Sequence, residues 1–235
     1  MAMKMTEADH RRIADAVAAA EKTTAGEIYC VLAPSVSDYR ETPIAWAAGA
    51  ALALPALALL LGFEPRMLVA LFGGWTAGHG PVGQTIFNAL AVYAASQAAV
   101  FVLAALIVSI PPVRRALTPG SLKAERVHRA AMQQFLGHGL HVTRERTGVL
   151  LFASLAEHRA EVIADEGIYT VADPKVWEEV VALLLAGLKR RDIAGAFEAA
   201  VKRSGEILAD HVPPRADNPN ELPDRLVVLP PPGRE

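Results

Sequence analysis

Acidic residues that could bind a metal ion are grouped in the carboxyl-terminal half of the sequence. Asp165 and Glu166 end an apolar run and precede Gly167, and Asp173 follows shortly afterwards. Hard cations such as calcium bind oxygen ligands of this kind, and a glycine permits close approach of the backbone. We therefore predict a calcium site formed by Asp165, Glu166 and Asp173. The alternative is that the first two residues form a turn and Asp173 only caps a helix.

Two arginines lie in the charged segment that precedes the same apolar run. Arg144 and Arg146 alternate with Thr143, Glu145 and Thr147. Guanidinium groups form bidentate pairs with phosphate or carboxylate, so these arginines are predicted to contact an anion or an acidic partner. A solvated charged turn explains the same segment, because charged side chains are mostly exposed.

Several common chemistries are disfavoured by the sequence. His138 and His141 have a suitable spacing for zinc, but no third ligand accompanies them. The chain has no CxxC pair, Walker loop, dinucleotide fingerprint or GxSxG motif. Its formal net charge is -2, with basic and acidic residues interspersed, so nucleic acid is not an expected partner.

Two long apolar runs interrupt the polar sequence. Residues 44–62 and 85–110 contain no Asp, Glu, Lys or Arg. At about 1.5 Å per helical residue, each run is long enough to cross a hydrocarbon core of about 30 Å. The sequence therefore predicts an integral membrane protein with a transmembrane hairpin at 43–110. Residues 67–75 are apolar but too short to span, and are predicted to be interfacial or re-entrant.

Charges near these runs predict the orientation of the hairpin. Five basic residues follow the second run, whereas the connecting segment has only Arg66. Because basic residues concentrate on the cytoplasmic side, both termini and the soluble domain are predicted to be cytoplasmic. The first residues lack the apolar region of a signal peptide. The spans carry no Asp, Glu, Lys or Arg, and the notable polar groups of the second span are only Asn88, Tyr93, Ser96 and Gln97, which disfavours a transport role.

The remaining sequence predicts a single discontinuous α/β domain formed by residues 1–42 and 111–212. Helical periodicity, β-forming runs and capping residues support this prediction. The predicted elements are a helix at 7–22, a strand at 27–33, a helix at 122–136, a β-hairpin with strands at 147–155 and 159–165, and two helices that begin after Asp173 and Asp192.

The last part of the chain, residues 213–235, is a proline-rich tail. Seven of the sixteen prolines lie beyond Val212, so regular structure is not expected for most of this length. Its apolar residues 226–229 are predicted to dock either on the domain or on a partner.

Three segments resemble the TPM domain family, in particular its bacterial membrane-protein branch. They are TAGEIYCVLA, RERTGVLLFASLAEHRAEVIADEGI and DPKVWEEVV. The resemblance covers about residues 6–42 and 115–224. It implies a three-layer α/β/α sandwich with a small mixed sheet, attached to the bacterial inner membrane. Glu27 matches a position in the family pattern.

Members of that family are linked to assembly or repair of membrane complexes, to accessory roles beside receptors, and to a calcium-containing acid phosphatase activity in chloroplasts. This chain departs from the commoner pattern of an exported domain with one carboxyl-terminal anchor. The preferred hypothesis is a non-enzymatic interaction or assembly module, whose partners are the lipid bilayer and another membrane protein. The alternative is a metal-dependent, membrane-tethered phosphomonoesterase that uses the predicted calcium site.

Overall fold

The computed structural model describes residues 5–62, 82–143, 145–215 and 220–233. The chain divides into two compact units. The first contains Met1–Asp38 and Gly120–Glu235, and the second contains Tyr39–Pro119. Residues 39–42 and 111–119, which were predicted to belong to the α/β domain, therefore group with the apolar helices.

The elements follow the predicted order, with additional short helices and one additional strand. In chain order they are α1 (Glu7–Glu21), β1 (Glu27–Ala33), α2 (Glu41–Leu60), α3 (Val82–Ser109), α4 (Pro111–Leu117), α5 (Gly120–Gly137), a 3-10 turn (Leu140–Val142), β2 (Gly148–Ser154), β3 (Arg159–Ala164), α6 (Glu166–Tyr169), α7 (Pro174–Arg190), α8 (Ile193–His211) and β4 (Leu226–Val228).

The first unit is built on a small mixed sheet with strand order β3-β2-β1-β4. β1 is parallel to β2 and to β4, whereas β2 and β3 form the predicted antiparallel hairpin. Glu27 lies opposite Gly148, and the Asp165 N–H donates to the Gly148 carbonyl at 2.9 Å. The amino ends of β1 and β2 and the carboxyl end of β3 therefore lie at the same end of the sheet.

Alternate side chains of β1 enter two separate apolar cores, as the two-residue period of a strand requires. Ile28, Cys30 and Leu32 enter the core shared with α1, α7 and α8, whereas Tyr29, Val31 and Ala33 enter the core shared with α5. Since both faces of β1 and β2 are covered, every residue of these two strands is buried. This burial explains why both strands read as continuous apolar runs.

Short polar side chains fix the helix starts in the first unit. Thr6 and Asp9 form the predicted capping box of α1. Asp192 accepts from the Gly195 N–H at 2.9 Å and caps α8. Each contact satisfies a backbone donor that has no partner within its helix.

The predicted docking of the tail on the domain is confirmed. Leu226–Val228 pair with Cys30–Leu32 as β4, and the Leu229 N–H donates to the Leu32 carbonyl at 2.9 Å. Leu226 is buried in the core shared with α1. Only three of the apolar residues at 226–229 form a strand. The rest of the described tail is irregular, as expected.

In the second unit, the apolar helices α2 and α3 contact each other. Segments of 20 and 21 residues in these helices, Glu41–Leu60 and Ala89–Ser109, reach mean hydropathies of 1.9 and 2.2 and are long and apolar enough to cross a membrane. Within an 18-residue apolar stretch of each segment, only 22% and 6% of the residues are buried. They differ in this respect from core helices of a soluble protein, which are mostly buried. The segment 67–75 lies outside the described residues.

Candidate functional site

Asp165 connects the carboxyl end of β3 to the short helix α6. It is buried, and one carboxylate oxygen accepts from the Glu166 N–H at 2.7 Å. This contact makes Asp165 the N-cap of α6. Of the turn and the metal site predicted as alternatives at this position, the turn is present, as a capped helical turn.

The predicted anion contact and two of the predicted metal ligands lie together. One nitrogen of the Arg146 guanidinium is 3.4 Å from Asp165 Oδ1, and the other contacts Glu166 Oε2. Arg146 has a positive φ of 56°, an unusual conformation for a residue other than glycine. Its guanidinium offsets the negative charge that would attract a cation to Asp165 and Glu166.

The remaining predicted site residues are not part of this cluster. Asp173 is exposed and caps α7 by accepting from the Lys175 N–H at 2.9 Å. Arg144 lies outside the described residues. Across residues 5–62, 82–143, 145–215 and 220–233, no group of three or more His, Cys, Asp or Glu side chains is arranged to hold a metal ion. Calcium binding here stays a prediction.

Gly167 allows α6 to lie directly against the backbone that carries Arg146. Its N–H donates to the Arg146 carbonyl at 2.9 Å. A Cβ at this position would lie 2.3 Å from the Glu145 carbonyl oxygen and 2.6 Å from that of Arg146. Any side chain at residue 167 would therefore displace the segment that positions the guanidinium.

Gly167→Ala is expected to lower the free energy of unfolding by about 1–3 kcal/mol, the usual cost of overpacking a site that cannot expand. Chemical denaturation of the two proteins measures this difference. Gly137→Ala is the matched control, because its new Cβ would meet nothing within 4 Å. Equal stabilities of the Gly167 variant and the parent would contradict the close backbone contact.

A second group of carboxyls surrounds a cavity of about 310 Å³ at the amino end of β1. Its lining residues come from the end of α1, the start of β1 and the tail. They are Ala18, Glu21, Lys22, Glu27, Pro214, Arg215, Asn220 and Asp224. Three of these eight residues are acidic, so the cavity concentrates carboxyl groups that the sequence separates.

Backbone donors position two of these carboxyls. Glu21 Oε1 accepts from the Ile28 N–H at 2.9 Å. Glu27 is only 3% exposed, and its two oxygens accept from the backbone N–H groups of Glu221 and Leu222 at 3.4 and 3.3 Å. Glu21 thus joins α1 to β1, and Glu27 joins β1 to the tail.

The environment of the cavity favours the protonated forms of Glu21 and Glu27. Burial raises the pKa of Glu21 to about 9, and the nearby Glu27 and Asp224 act in the same direction. Burial also raises the pKa of Glu27, but its two backbone donors oppose that effect. A carboxyl that keeps its proton near neutral pH can donate a hydrogen bond. Strongly perturbed carboxyls in a cavity are also candidates for a functional site.

Glu27 stands out in the sequence as a match to the family pattern, whereas the cavity was not predicted. Glu21 reads as an ordinary polar residue at the end of a helix, and Asp224 lies in a proline-rich segment with no periodicity. The available signal was the apolar run at 226–229, because a tail docked beside β1 brings the preceding residues to its amino end.

The fold and the two carboxyl clusters define a mixed α/β protein whose chain also includes a pair of exposed apolar helices. The chain is similar in fold to the BA42 protein from the psychrophilic bacteria Bizionia argentinensis sp. nov., whose structure was determined by NMR. The two have 16% sequence identity and a TM-score of 0.53, with 95% of this chain and 94% of that chain covered. No protein-family model matches, and a search of curated proteins found no match. This similarity shows the fold alone.

Proposed function

We propose that this chain is an integral membrane protein whose α/β domain is a non-enzymatic interaction or assembly module for a membrane complex. The observation that carries the proposal is the exposure of the apolar helices α2 and α3. Ile44, Leu52, Leu60, Leu103 and Leu106 are each at least 60% exposed. A hydrocarbon environment removes these side chains from water, which stabilises the protein by about 25 cal/mol per Å² of apolar surface.

A transmembrane hairpin is the arrangement that the proposal assigns to α2 and α3. An even number of spans keeps both parts of the discontinuous domain on the same side of the bilayer. The basic residues Arg114 and Arg115 follow α3 and favour the cytoplasmic side of the inner membrane. The bilayer is then the first partner of this protein.

Membership of the TPM family, with its three-layer α/β/α sandwich, is part of the same proposal. It is supported by the order of the elements in the first unit and by the helices that cover both faces of β1 and β2. The assembly role comes from that resemblance, because a shared fold does not determine a function.

A membrane protein is the second partner that we propose. Ala91, Ala95 and Ala98 are exposed and lie at helical spacing on one side of α3. Small residues let a neighbouring helix approach closely in a bilayer, where helices associate through packing. This surface of α3 is therefore the proposed contact for a transmembrane helix of the partner.

Site-specific photo-crosslinking in intact membranes tests the proposed contact. A photoreactive amino acid at Ala95 is expected to give a protein adduct of discrete mass. The same probe at the exposed Lys202 on α8 is the control for random collisions. Only lipid adducts at Ala95, or the same protein adduct from both positions, would contradict the proposed interaction.

The metal-dependent phosphatase is the second candidate, and one observation favours it. The Oδ2 atom of Asp165 is buried and has no hydrogen-bond partner, so it has an unused coordination position. However, Arg146 already pairs with both Asp165 and Glu166. Among the described residues that line the cavity at the amino end of β1, none is a serine, threonine or cysteine.

Phosphomonoester hydrolysis by the full chain in mild detergent distinguishes the two candidates. With calcium, magnesium or a chelator, we expect no turnover above that of Asp165→Asn. Asp15→Asn, at an exposed position on α1, is the matched control. Metal-dependent turnover that is lost in Asp165→Asn and kept in Asp15→Asn would identify an enzyme.

A further inference from the structure

The tail covers one edge of the sheet with few contacts. Its strand β4 pairs with only three residues of β1, Cys30–Leu32. Leu226 is buried in one core, and Leu222, Val227 and Leu229 pack against the other. We refer to residues 220–229 as the tail segment. Because so short a strand contributes little pairing, the polar contacts at its start matter for docking.

Those polar contacts are made by carboxyl groups. Glu27 accepts from two backbone N–H groups of the tail segment, at Glu221 and Leu222. Glu21 and Asp224 line the same cavity, and a hydrogen bond between their carboxyls is one of the causes that raise the pKa of Glu21. An ionised carboxyl group has no proton to donate, so two carboxyls form a hydrogen bond only when one of them is protonated. A hydrogen bond between Glu21 and Asp224 across the cavity therefore requires a proton.

Asp224 is also held from within the tail segment. The side-chain amide of Asn220 donates to Asp224 Oδ1 at 2.5 Å. This bond occupies one oxygen of Asp224 and orients its carboxyl group. The carboxyl group of Asp224 is thus held in place at the cavity that Glu21 also lines.

The charged groups around Glu21 do not compensate for the loss of that proton. Burial raises the pKa of Glu21, and the charges of Glu27 on β1 and Asp224 in the tail segment add to that effect. Burial also raises the pKa of Cys30 on β1, and the charge of Glu21 adds to it. Among the cations, Arg215 pairs with Glu145 at 2.6 Å, and Lys22 is exposed at the cavity rim. Burial raises the pKa of Tyr29, and the charge of Arg225 opposes that effect. The negative charge of Glu221 adds to the effect of burial, which raises the pKa of Glu27.

We propose that residues 220–229 form a proton-operated latch on the edge of β1. With the Glu21–Asp224 pair protonated, the tail segment stays paired with β1. When the pair loses its proton, the carboxylates of Glu21, Glu27 and Asp224 repel one another and the tail segment detaches. Detachment exposes the backbone of Cys30–Leu32, an unpaired strand edge that can accept an extended segment of another chain.

The direction of this switch follows from the folded protein. Burial and neighbouring carboxyls raise the pKa of Glu21, so its proton is bound more tightly with the tail segment docked than with it detached. Docking is therefore favoured at low pH and weakened as pH rises. The latch lies within the first unit and does not depend on the proposed membrane role.

Hydrogen exchange measured by mass spectrometry tests the latch on the full chain in mild detergent. Peptides that contain residues 226–229 are followed from pH 6 to pH 9, with exchange times scaled to the intrinsic rate. Peptides from β2 report global unfolding. The variants are Glu21→Gln and Asp224→Asn, each of which replaces a carboxyl with a neutral amide. Glu178→Gln, at an exposed position on α7, is the control.

Protection of the tail peptides in the parent and in Glu178→Gln is expected to fall with pH by up to about tenfold per unit, the limit for one proton. β2 is expected to stay protected. In Glu21→Gln and Asp224→Asn the fall is expected to be smaller. The latch would be overturned if protection of the tail peptides in the parent did not change with pH across this range, or if it fell equally in all four proteins. Loss of β2 protection at the same pH would also overturn it.

Discussion

Leu52→Arg is expected to deplete the protein from the membrane fraction, whereas Leu136→Arg leaves its distribution unchanged. Leu52 lies near the middle of α2 and is 67% exposed; Leu136 lies on α5 in the α/β domain and is 53% exposed. An arginine at the centre of a transmembrane helix costs about 2.5–3.5 kcal/mol during insertion. The same substitution on a wet helix surface costs about 0.5 kcal/mol or less.

The two leucines make a matched pair because both are exposed residues within helices. Their surroundings differ only if α2 lies in hydrocarbon. Fractionation of cells that express each variant, with quantitative blotting of the soluble and membrane fractions, measures the difference. Identical distributions for the two variants would show that α2 faces water.

Glu21→Gln is expected to stabilise the first unit at alkaline pH and to flatten its dependence on pH. Burial raises the pKa of Glu21 from its ordinary value of 4.5 to about 9. A raised carboxyl pKa gives stability that is fully present below the unfolded pKa and is lost as pH rises through the folded pKa. Between about pH 5 and pH 9, the parent should lose at most about 1.4 kcal/mol per pH unit through this group.

Glutamine suits this test because it keeps an oxygen for the Ile28 N–H and provides a neutral donor toward Asp224. Chemical denaturation at pH 6, 7.5 and 9 gives the free energy of unfolding of each protein. Some slope should remain in the variant, since the pKa of Glu27 is also raised by burial. The prediction fails if the variant and the parent lose stability equally with rising pH.

Local sequence signals predicted most of the first unit. The β1 run is apolar, rich in β-forming residues and bounded by Gly26 and Pro34, and the strand occupies Glu27–Ala33 as predicted. The cap predicted at Asp173 is likewise present. Such signals suffice because a helix cap depends only on neighbouring residues. A strand that is buried on both faces reads as a continuous apolar run.

Contacts between distant segments could not be predicted in the same way. The sequence supplied candidate ligands at Asp165 and Glu166 and a separate anion contact at Arg146. Their pairing depends on the antiparallel contact of β2 with β3, which brings Arg146 close to Asp165, and on the positive φ of Arg146. Neither feature leaves a local pattern in the sequence. The Glu21–Asp224 contact requires the tail to dock beside β1, so only the folded chain brings these residues together.

The central claim is that α2 and α3 anchor this chain in a lipid bilayer. Alkaline carbonate extraction of cell membranes that contain the full chain, followed by flotation in a density gradient, tests it most directly. We expect the protein to resist extraction and to float with the lipid. Release of the protein into the carbonate supernatant, or sedimentation away from the lipid, would contradict it.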